Sequence, residues 1–482
     1  MQIKLDNIGI VKDSTIKLDG LTVITGKNNS GKTTVGKTLY SMLDAVCDLQ
    51  RKARTDRIHY VYKQLEKVEN QWDIVRRLLA RSEDNNTLEK YELLEKLISR
   101  RYRSEVRRGE IEDYAHDLLK ELQGMEETKS EITIGKRRLQ EYFEQLYRIS
   151  GNSFMMEEAR DRSIFILNKM FDDIEKDPEL IDYVRKSVEQ TLRIEFSEQI
   201  QPVKNPDAVS IVELSDEKTD NFSFSIVNNR IVDDGKPIFV RSPFRDTYLI
   251  DDPYILDGMS QRSVTRSYID TMTEEEGILD RTRICSHNSK LKSTLRNGKQ
   301  LSVFEENVLE DTLSPLKQKI NSVIPGTFEF ASDGEYYVQN GATLKIANLA
   351  AGSKMFSIIK MLLEYGKIDD ATMLILDEPE AHLHPMWQNA FAEMIVLLVK
   401  ELKTHVLLST HSANFMLAID AYMRKYEIAD QTNFYQTEEL ESGFVRYHCV
   451  NDDMGKIYED YLQYLSEVKV LRNRYLNGLE EY

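Results

Sequence analysis

Cysteine is scarce: the chain of 482 residues has three, Cys47, Cys285 and Cys449. Their wide separation excludes a disulfide framework and any CxxC metal pair, so buried or incidental thiols in a reducing cytosol are expected. Proline is absent before Pro178, and all ten prolines lie between that position and Pro385. A proline-free stretch of that length permits long helices. Glycine is also sparse at 21, which together with 41% hydrophobic and 30% charged residues excludes a fibrous or disordered chain. Long apolar runs are missing, and one of the longest, residues 394–399, is far too short to span a bilayer. The first ten residues, MQIKLDNIGI, lack the charged start, apolar run and cleavage site of a signal peptide, so a cytoplasmic protein without membrane contact is expected. Positive charge is in deficit, with 64 Lys and Arg against 81 Asp and Glu, a net of -17. The chain as a whole repels phosphate backbones, and any nucleic-acid contact has to be local.

What is present implies roughly two to three structural units, because the length exceeds what one hydrophobic core supports. Residues 1–25 hold three short apolar runs (IKLDNIGI, STIKL, LTVIT) separated by turn-like pairs, which predict three strands. From Lys32 the period becomes helical, and between about residues 44 and 190 Leu, Glu, Lys, Arg and Gln dominate, with Leu88, Tyr91, Leu94, Leu97 and Ile98 at helical spacing. A bundle or antiparallel coil of helices is expected there. Within residues 51–150 the charges nearly balance at 22 basic and 20 acidic. Arg100, Arg101, Arg103, Arg107 and Arg108 form one cluster, and Arg51, Lys52, Arg54 and Arg57 a second. Such clusters fit either a local nucleic-acid footprint or solvated helix faces laced with i,i+4 ion pairs. Beyond Pro202 strand-like runs return (SIVEL, FSFSIVNNRIV, TYLI), and FEFASDGEYYVQNGATLKIANL predicts a hairpin turning at Asn340-Gly341.

Two motifs carry chemistry. Gly26 to Thr33 reads GKNNSGKT, the G-x-x-x-x-G-K-[ST] pattern, placed between a strand and a helix. Gly26 and Gly31 let the backbone curl so that the N-H groups of Lys27, Asn28, Asn29, Ser30 and the following helix start, through Thr34, form an anion cradle. Lys32 can then reach the β- and γ-phosphates of a nucleotide, and the Thr33 hydroxyl can ligate Mg2+. The second motif, TMLILDEPEAHLHP, is an apolar strand ending in Asp377, suited to Mg2+, and Glu378, suited to polarise a water as general base. His382 and His384 form an H-x-H without a third ligand nearby, and a local structural role before Pro385 is expected for them. A third strand, THVLLSTHS, ends at His411, which in a parallel sheet would reach the same edge and touch the γ-phosphate.

These elements resemble an ABC-type head of the SMC, RecF and OLD branch of AAA-family ATPases: the opening IKLDNIGIVKDSTIKLDGLTVITGKNNSGKTT, the DEPEAHLHP element and the STHSANF switch each match that branch. The resemblance covers residues 1–45 and 340–420. It implies an α/β P-loop NTPase head binding ATP and Mg2+, interrupted by a long, coiled-coil-like helical insertion. The expected division is residues 1–45 and 193–482 for the head and 46–192 for the insertion. In the terms of that family, Lys32 and Asp377 belong to the Walker A and Walker B elements, and Glu378, Lys32 and His411 are the catalytic residues. The family also implies a signature that caps a second subunit's nucleotide, and NLAAGSK (residues 348–354) sits where it belongs, with Gly352 25 residues before Asp377. Ala350 replaces the usual serine, so the cap falls to the backbone N-H groups of Ala351 and Gly352, with Ser353 or Lys354 helping. Gln199 is the candidate for the family's Mg2+-contacting glutamine.

OLD-type relatives carry a nuclease domain after the switch histidine, whereas 71 residues follow His411 here, and no intrinsic nuclease is expected. Stand-alone ATPases of this shape are similar to subunits of anti-phage systems such as PARIS and Septu. The expectation is a slow ATPase that oligomerises through its heads and controls a separate effector, a nuclease or toxin. The alternative is a DNA-binding RecF- or SMC-like ATPase of DNA repair or chromosome maintenance.

Overall fold

The computed structural model describes residues 1–47, 180–216, 219–232, 242–258, 286–298, 314–331, 334–455 and 466–474, with scattered positions between 49 and 173. Contacts divide the chain into two units, Met1–Leu49 with Leu180–Tyr482, and Gln50–Glu179. Most of the expected helical insertion, including both arginine clusters, lies outside the described residues.

The first unit opens with β1 (Gln2–Asp6), β2 (Ser14–Lys17), β3 (Leu21–Thr25) and α1 (Lys32–Val46). Residues of β1 and β2 alternate between buried and exposed, as in a half-solvated antiparallel sheet, whereas every residue of β3 is buried, as in a parallel sheet covered on both faces. Next come α2 (Leu180–Glu195), β4 (Ser210–Asp216), β5 (Thr219–Val227), β6 (Arg230–Val232) and β7 (Asp246–Ile250). The boundary drawn from sequence at residue 192 falls inside α2, which packs on α1 in the first unit. Asn228 and Asn229 join β5 to β6 with φ of 52° and 58°, the left-handed pair that a type I′ turn requires.

The chain continues through α3 (His287–Asn297), α4 (Ser314–Val323), β8 (Thr327–Ala331), β9 (Gly334–Gln339) and β10 (Ala342–Lys345). The segment expected to form one hairpin is a three-stranded meander, because β8 also satisfies its backbone groups against β9 before Asn340-Gly341 turns the chain into β10. The remaining elements are α5 (Ala351–Glu364), β11 (Thr372–Asp377), α6 (Pro385–Leu402), β12 (His405–Thr410), α7 (Ala413–Lys425), β13 (Thr432–Glu439) and β14 (Val445–Cys449).

The central sheet has the order β14-β13-β3-β12-β11-β7, parallel except for β14. Side chains alternate across it with period two. Leu374, Leu376, Val406 and Leu408 enter a core shared with α4 to α7, and Met373, Ile375 and Leu407 enter a second core shared with α1, α2 and the antiparallel sheet β2-β1-β4-β5-β6. In the first core Phe356 meets Phe391 edge to face at 5.0 Å between ring centroids. In the second, α1 approaches β11 so closely that a methyl group on Gly36 would stand 3.1 Å from Ile375 Cγ2. This is the α/β class expected, and it brings the carboxyl ends of β3, β12, β11 and β7 to one edge.

Candidate active site

The loop after β3 is built by conformations that few residues tolerate. Asn29 and Gly31 have φ of 61° and 78°, and a methyl group on Gly31 would meet Val11 Cγ2 at 2.8 Å. Gly26 is equally confined, since an added Cβ would lie 2.1 Å from Thr437 Oγ1. The first turn of α1 receives no side-chain cap, so its N-H groups point into the loop. Lys32, which is buried, folds back to donate from Nζ to Gly26 O at 3.1 Å and Lys27 O at 2.9 Å. Ser30 Oγ is buried without a hydrogen-bond partner. An uncapped helix start, a buried lysine and an orphaned hydroxyl make a donor-rich cradle that fits an anion such as a polyphosphate.

Carboxylates face this cradle. Thr33 Oγ1 donates to Asp377 Oδ2 at 2.5 Å, and Ser409 Oγ donates to Asp377 Oδ1. A hydroxyl and a carboxylate converging at one point are the oxygen donors that a hard divalent cation takes. Glu378, with φ of 48°, leaves the strand in a left-handed turn, held by its N-H donating to Ser409 at 3.1 Å. Strain of this kind, of about 1–3 kcal/mol, concentrates at functional positions. Here it points the carboxylate so that Oε1 lies 3.2 Å from Lys32 Nζ and 3.2 Å from His411 Nδ1. The structure therefore gathers Lys32, Thr33, Asp377, Glu378 and His411.

Sequence reasoning missed three supports of this centre. Ser409 is one, and only the β11-β12 register, which sets it opposite Asp377, could reveal it. Glu380, buried beside the centre, accepts from Thr410 Oγ1, while its Oε2 has no hydrogen-bond partner. Burial pushes the Glu380 carboxyl above the usual carboxylate range. Gln388 accepts at Oε1 from Ser412 Oγ at 3.3 Å and Asn414 Nδ2 at 3.1 Å, bracing the segment just after His411. The H-x-H pair serves local structure: His384 caps α6 by accepting from the Met386 N-H, and the His382 ring meets Tyr254 at 5.5 Å.

A cleft of about 910 Å3 joins these elements and is also lined by Gly9, Phe196, Gln199, Asp251 and Phe444. Gln199 thus borders the cleft, on the loop that follows α2. Burial opposes charge on His287 behind this wall, but Asp251 and Glu195 outweigh it and push the imidazole up to about 9. Burial likewise works against ionised Asp251, yet neighbouring His287 holds it below the usual carboxylate range.

The signature segment forms the start of α5, with Ala350 at the N-cap and no side-chain cap. Gly352 packs so tightly that an added Cβ would meet Leu383 Cδ2 at 3.1 Å and His382 O at 3.3 Å. The cleft of the same chain is lined by Met355 but not by Ala351, Gly352 or Ser353. The expected help from Lys354 is corrected: its side chain is buried, paired with Asp257 and seated 5.1 Å over the Tyr254 ring, because an unpaired buried ammonium would be costly.

A phosphate-type loop after the central strand of a parallel sheet, with a strand-end carboxylate pair opposite it, defines a P-loop NTPase. Residues 1–416 match the family described as AAA ATPase domain, and the chain belongs to that family. It is accordingly a nucleotide-binding ATPase of the α/β class. Three solved structures similar to it are Smc head domains. One is bound to the C-winged helix domain of ScpA (10% identity, 93% of this chain and 96% of that chain covered, TM-score 0.35). Another, from Pyrococcus furiosus, has an extended coiled coil and is bound to the C-terminal domain of ScpA (11% identity, 97% and 98% covered, TM-score 0.30). The third, from Pyrococcus yayanosii, has a coiled coil and joint (13% identity, 95% and 99% covered, TM-score 0.33). No curated protein matches the chain. No helix among the described residues is long and apolar enough to cross a membrane.

Proposed function

We propose that the cleft binds ATP with Mg2+ and hydrolyses it slowly, and that a second copy of the chain completes each site. The observation that carries this reading is the convergence of Lys32 Nζ and His411 Nδ1 on one oxygen of Glu378, each at 3.2 Å. On this reading the loop from Gly26 to Thr34 holds the phosphates, Lys32 neutralises the terminal ones, and Thr33 and Asp377 hold the cation. The cation supplies charge neutralisation at the transferred phosphoryl group. Glu378 accepts a proton from the attacking water, and His411 holds the γ-phosphate side of Glu378 in place. Ala351, Gly352 and Ser353 cap the nucleotide of the second copy. The uncapped start of α5, whose residues 351–353 do not line the cleft of their own chain, supports this assignment, because a helix N-terminus attracts anions. Glu378→Gln should accumulate an ATP-bound assembly, read as a larger species by light scattering in Mg2+-ATP; a mass equal to wild type in ATP and ADP alike would refute the cycle.

The biological reading is an ATP-dependent sensor and scaffold that restrains or releases a separate effector in anti-phage defence. It rests on the resemblance of the motifs to stand-alone defence ATPases. Its test is phage plating on cells carrying the gene with its neighbours, where protection is expected with wild type and lost with Lys32→Ala. Equal plating on both would remove it. A DNA-maintenance role is favoured instead by the arginine cluster at residues 100–108, and predicts salt-dependent DNA binding that disappears when those arginines become alanine.

A further inference from the structure

A buried histidine is clamped between two carboxylates behind the cleft wall, and no step assigned above uses it. His287, the first residue of α3, is 5% exposed. Its Nδ1 hydrogen-bonds Glu195 Oε2 at 2.5 Å, and its Nε2 lies 3.0 Å from Asp251 Oδ1 in a charge contact that is not aligned as a hydrogen bond. Its backbone N-H donates to Glu195 Oε1 at 2.8 Å, and the Tyr40 ring closes one side edge-on at 5.9 Å. Glu195 is tied down in turn, since its carbonyl accepts from Lys37 Nζ on α1 at 3.0 Å.

The two acids differ in what they face. The Glu195 side chain is 1% exposed, whereas that of Asp251 is 23% exposed and lines the cleft with Thr33 and Asp377. The β7-β11 register pairs Ile250 with Leu376, so Asp251, the residue just after β7, and Asp377, the last of β11, follow that pair side by side. Neighbouring strands run about 4.8 Å apart, which sets both carboxylates at one edge of the cleft.

We propose that Asp251 faces the cation pole of the nucleotide cleft, accepting hydrogen bonds from water around the metal, and that His287, anchored by Glu195, is the residue that positions it. This rests on the reading of the cleft as a Mg2+-ATP site. Outer partners of this kind typically change metal affinity by about 10–100-fold.

The test is a Mg2+ titration of ATP binding by calorimetry on full-length wild type, Asp251→Asn and His287→Ala, with thermal melting as a control for folding. Both variants should raise the Mg2+ concentration for half-maximal binding by about tenfold, at the low end of that range, and leave ATP affinity in EDTA unchanged. Asp251→Asn is nearly isosteric and decides the matter if His287→Ala fails to fold. A midpoint within twofold of wild type for folded Asp251→Asn overturns the proposal. A His287→Ala protein that melts earlier but keeps the wild-type midpoint overturns the positioning role. If wild-type binding itself ignores Mg2+, the cation reading of the cleft fails and this inference falls with it; a Mg2+-dependent wild type with an unmoved Asp251→Asn midpoint sinks the inference alone.

Discussion

Thr33 Oγ1 donates to Asp377 Oδ2 at 2.5 Å, joining residues 344 apart in sequence. The contact closes the phosphate-type loop onto the end of β11 at the point where both oxygens could serve one cation. Thr33→Ala should therefore weaken Mg2+-dependent nucleotide binding by about tenfold, equivalent to about 1.4 kcal/mol, with binding in EDTA unaffected. Fluorescence titration with a labelled ATP in both conditions checks this, and equal losses in the two would show that the hydroxyl serves the loop and not the metal.

On the proposed reading, Glu378 separates binding from hydrolysis. Because its Oε1 meets both Lys32 and His411, Glu378→Gln keeps the shape of the site and loses the base. Phosphate release is expected to fall by about 10²–10⁴-fold with nucleotide affinity within a few-fold of wild type. Unchanged phosphate release would assign the water-activating role elsewhere.

Gly31 combines a φ of 78° with a neighbour at 2.8 Å from any added Cβ. Gly31→Ala should destabilise the first unit by about 1–3 kcal/mol and weaken nucleotide binding further, since the loop has to shift away from Val11. Urea unfolding measures the first effect and calorimetry the second. A variant as stable as wild type would mean that the loop relaxes without cost.

Glu393 supplies a pH dependence. Lys319 at 2.5 Å, Lys425 at 2.7 Å and Tyr426 at 2.7 Å surround its carboxylate. Burial opposes ionisation, but these three partners outweigh it and lower the carboxyl to about 2 from an ordinary value of 4.5. A depressed folded-state value gives stability that is fully present above pH 4.5 and lost as the pH falls through about 2. The melting-temperature difference between wild type and Glu393→Gln should be largest near neutrality and vanish by about pH 2; a constant difference across that window would contradict the assignment.

The local parts of the site were legible before the fold was known. GKNNSGKT and DEPE encode their chemistry in adjacent residues, and the apolar runs before them predicted the strands on which they sit. Lys354 shows where that reading stopped, because a lysine in the signature looks available for phosphate until Asp257 and Tyr254 are seen to hold it. Ser409 and Asp251 were equally invisible. Each owes its place to the register of one strand against β11. That the segment from β8 to β10 makes three strands and not two was hidden for a similar reason, since pairing on both sides of β9 and not composition sets the count.

By itself, then, the sequence determined the class of the protein and marked the residues that the structure gathers at the cleft, from GKNNSGKT to Asp377, Glu378 and His411. Backbone conformation and side-chain type act over a few residues there, and the glycines, lysine and acids have to be neighbours in the chain to do their work. Only the tertiary structure decided which hydroxyls hold Asp377, which turn aims Glu378 at Lys32 and His411, and that His287 joins Glu195 to Asp251. Those relationships depend on strand order and register across hundreds of residues, which burial of two apolar cores selects and no local pattern records.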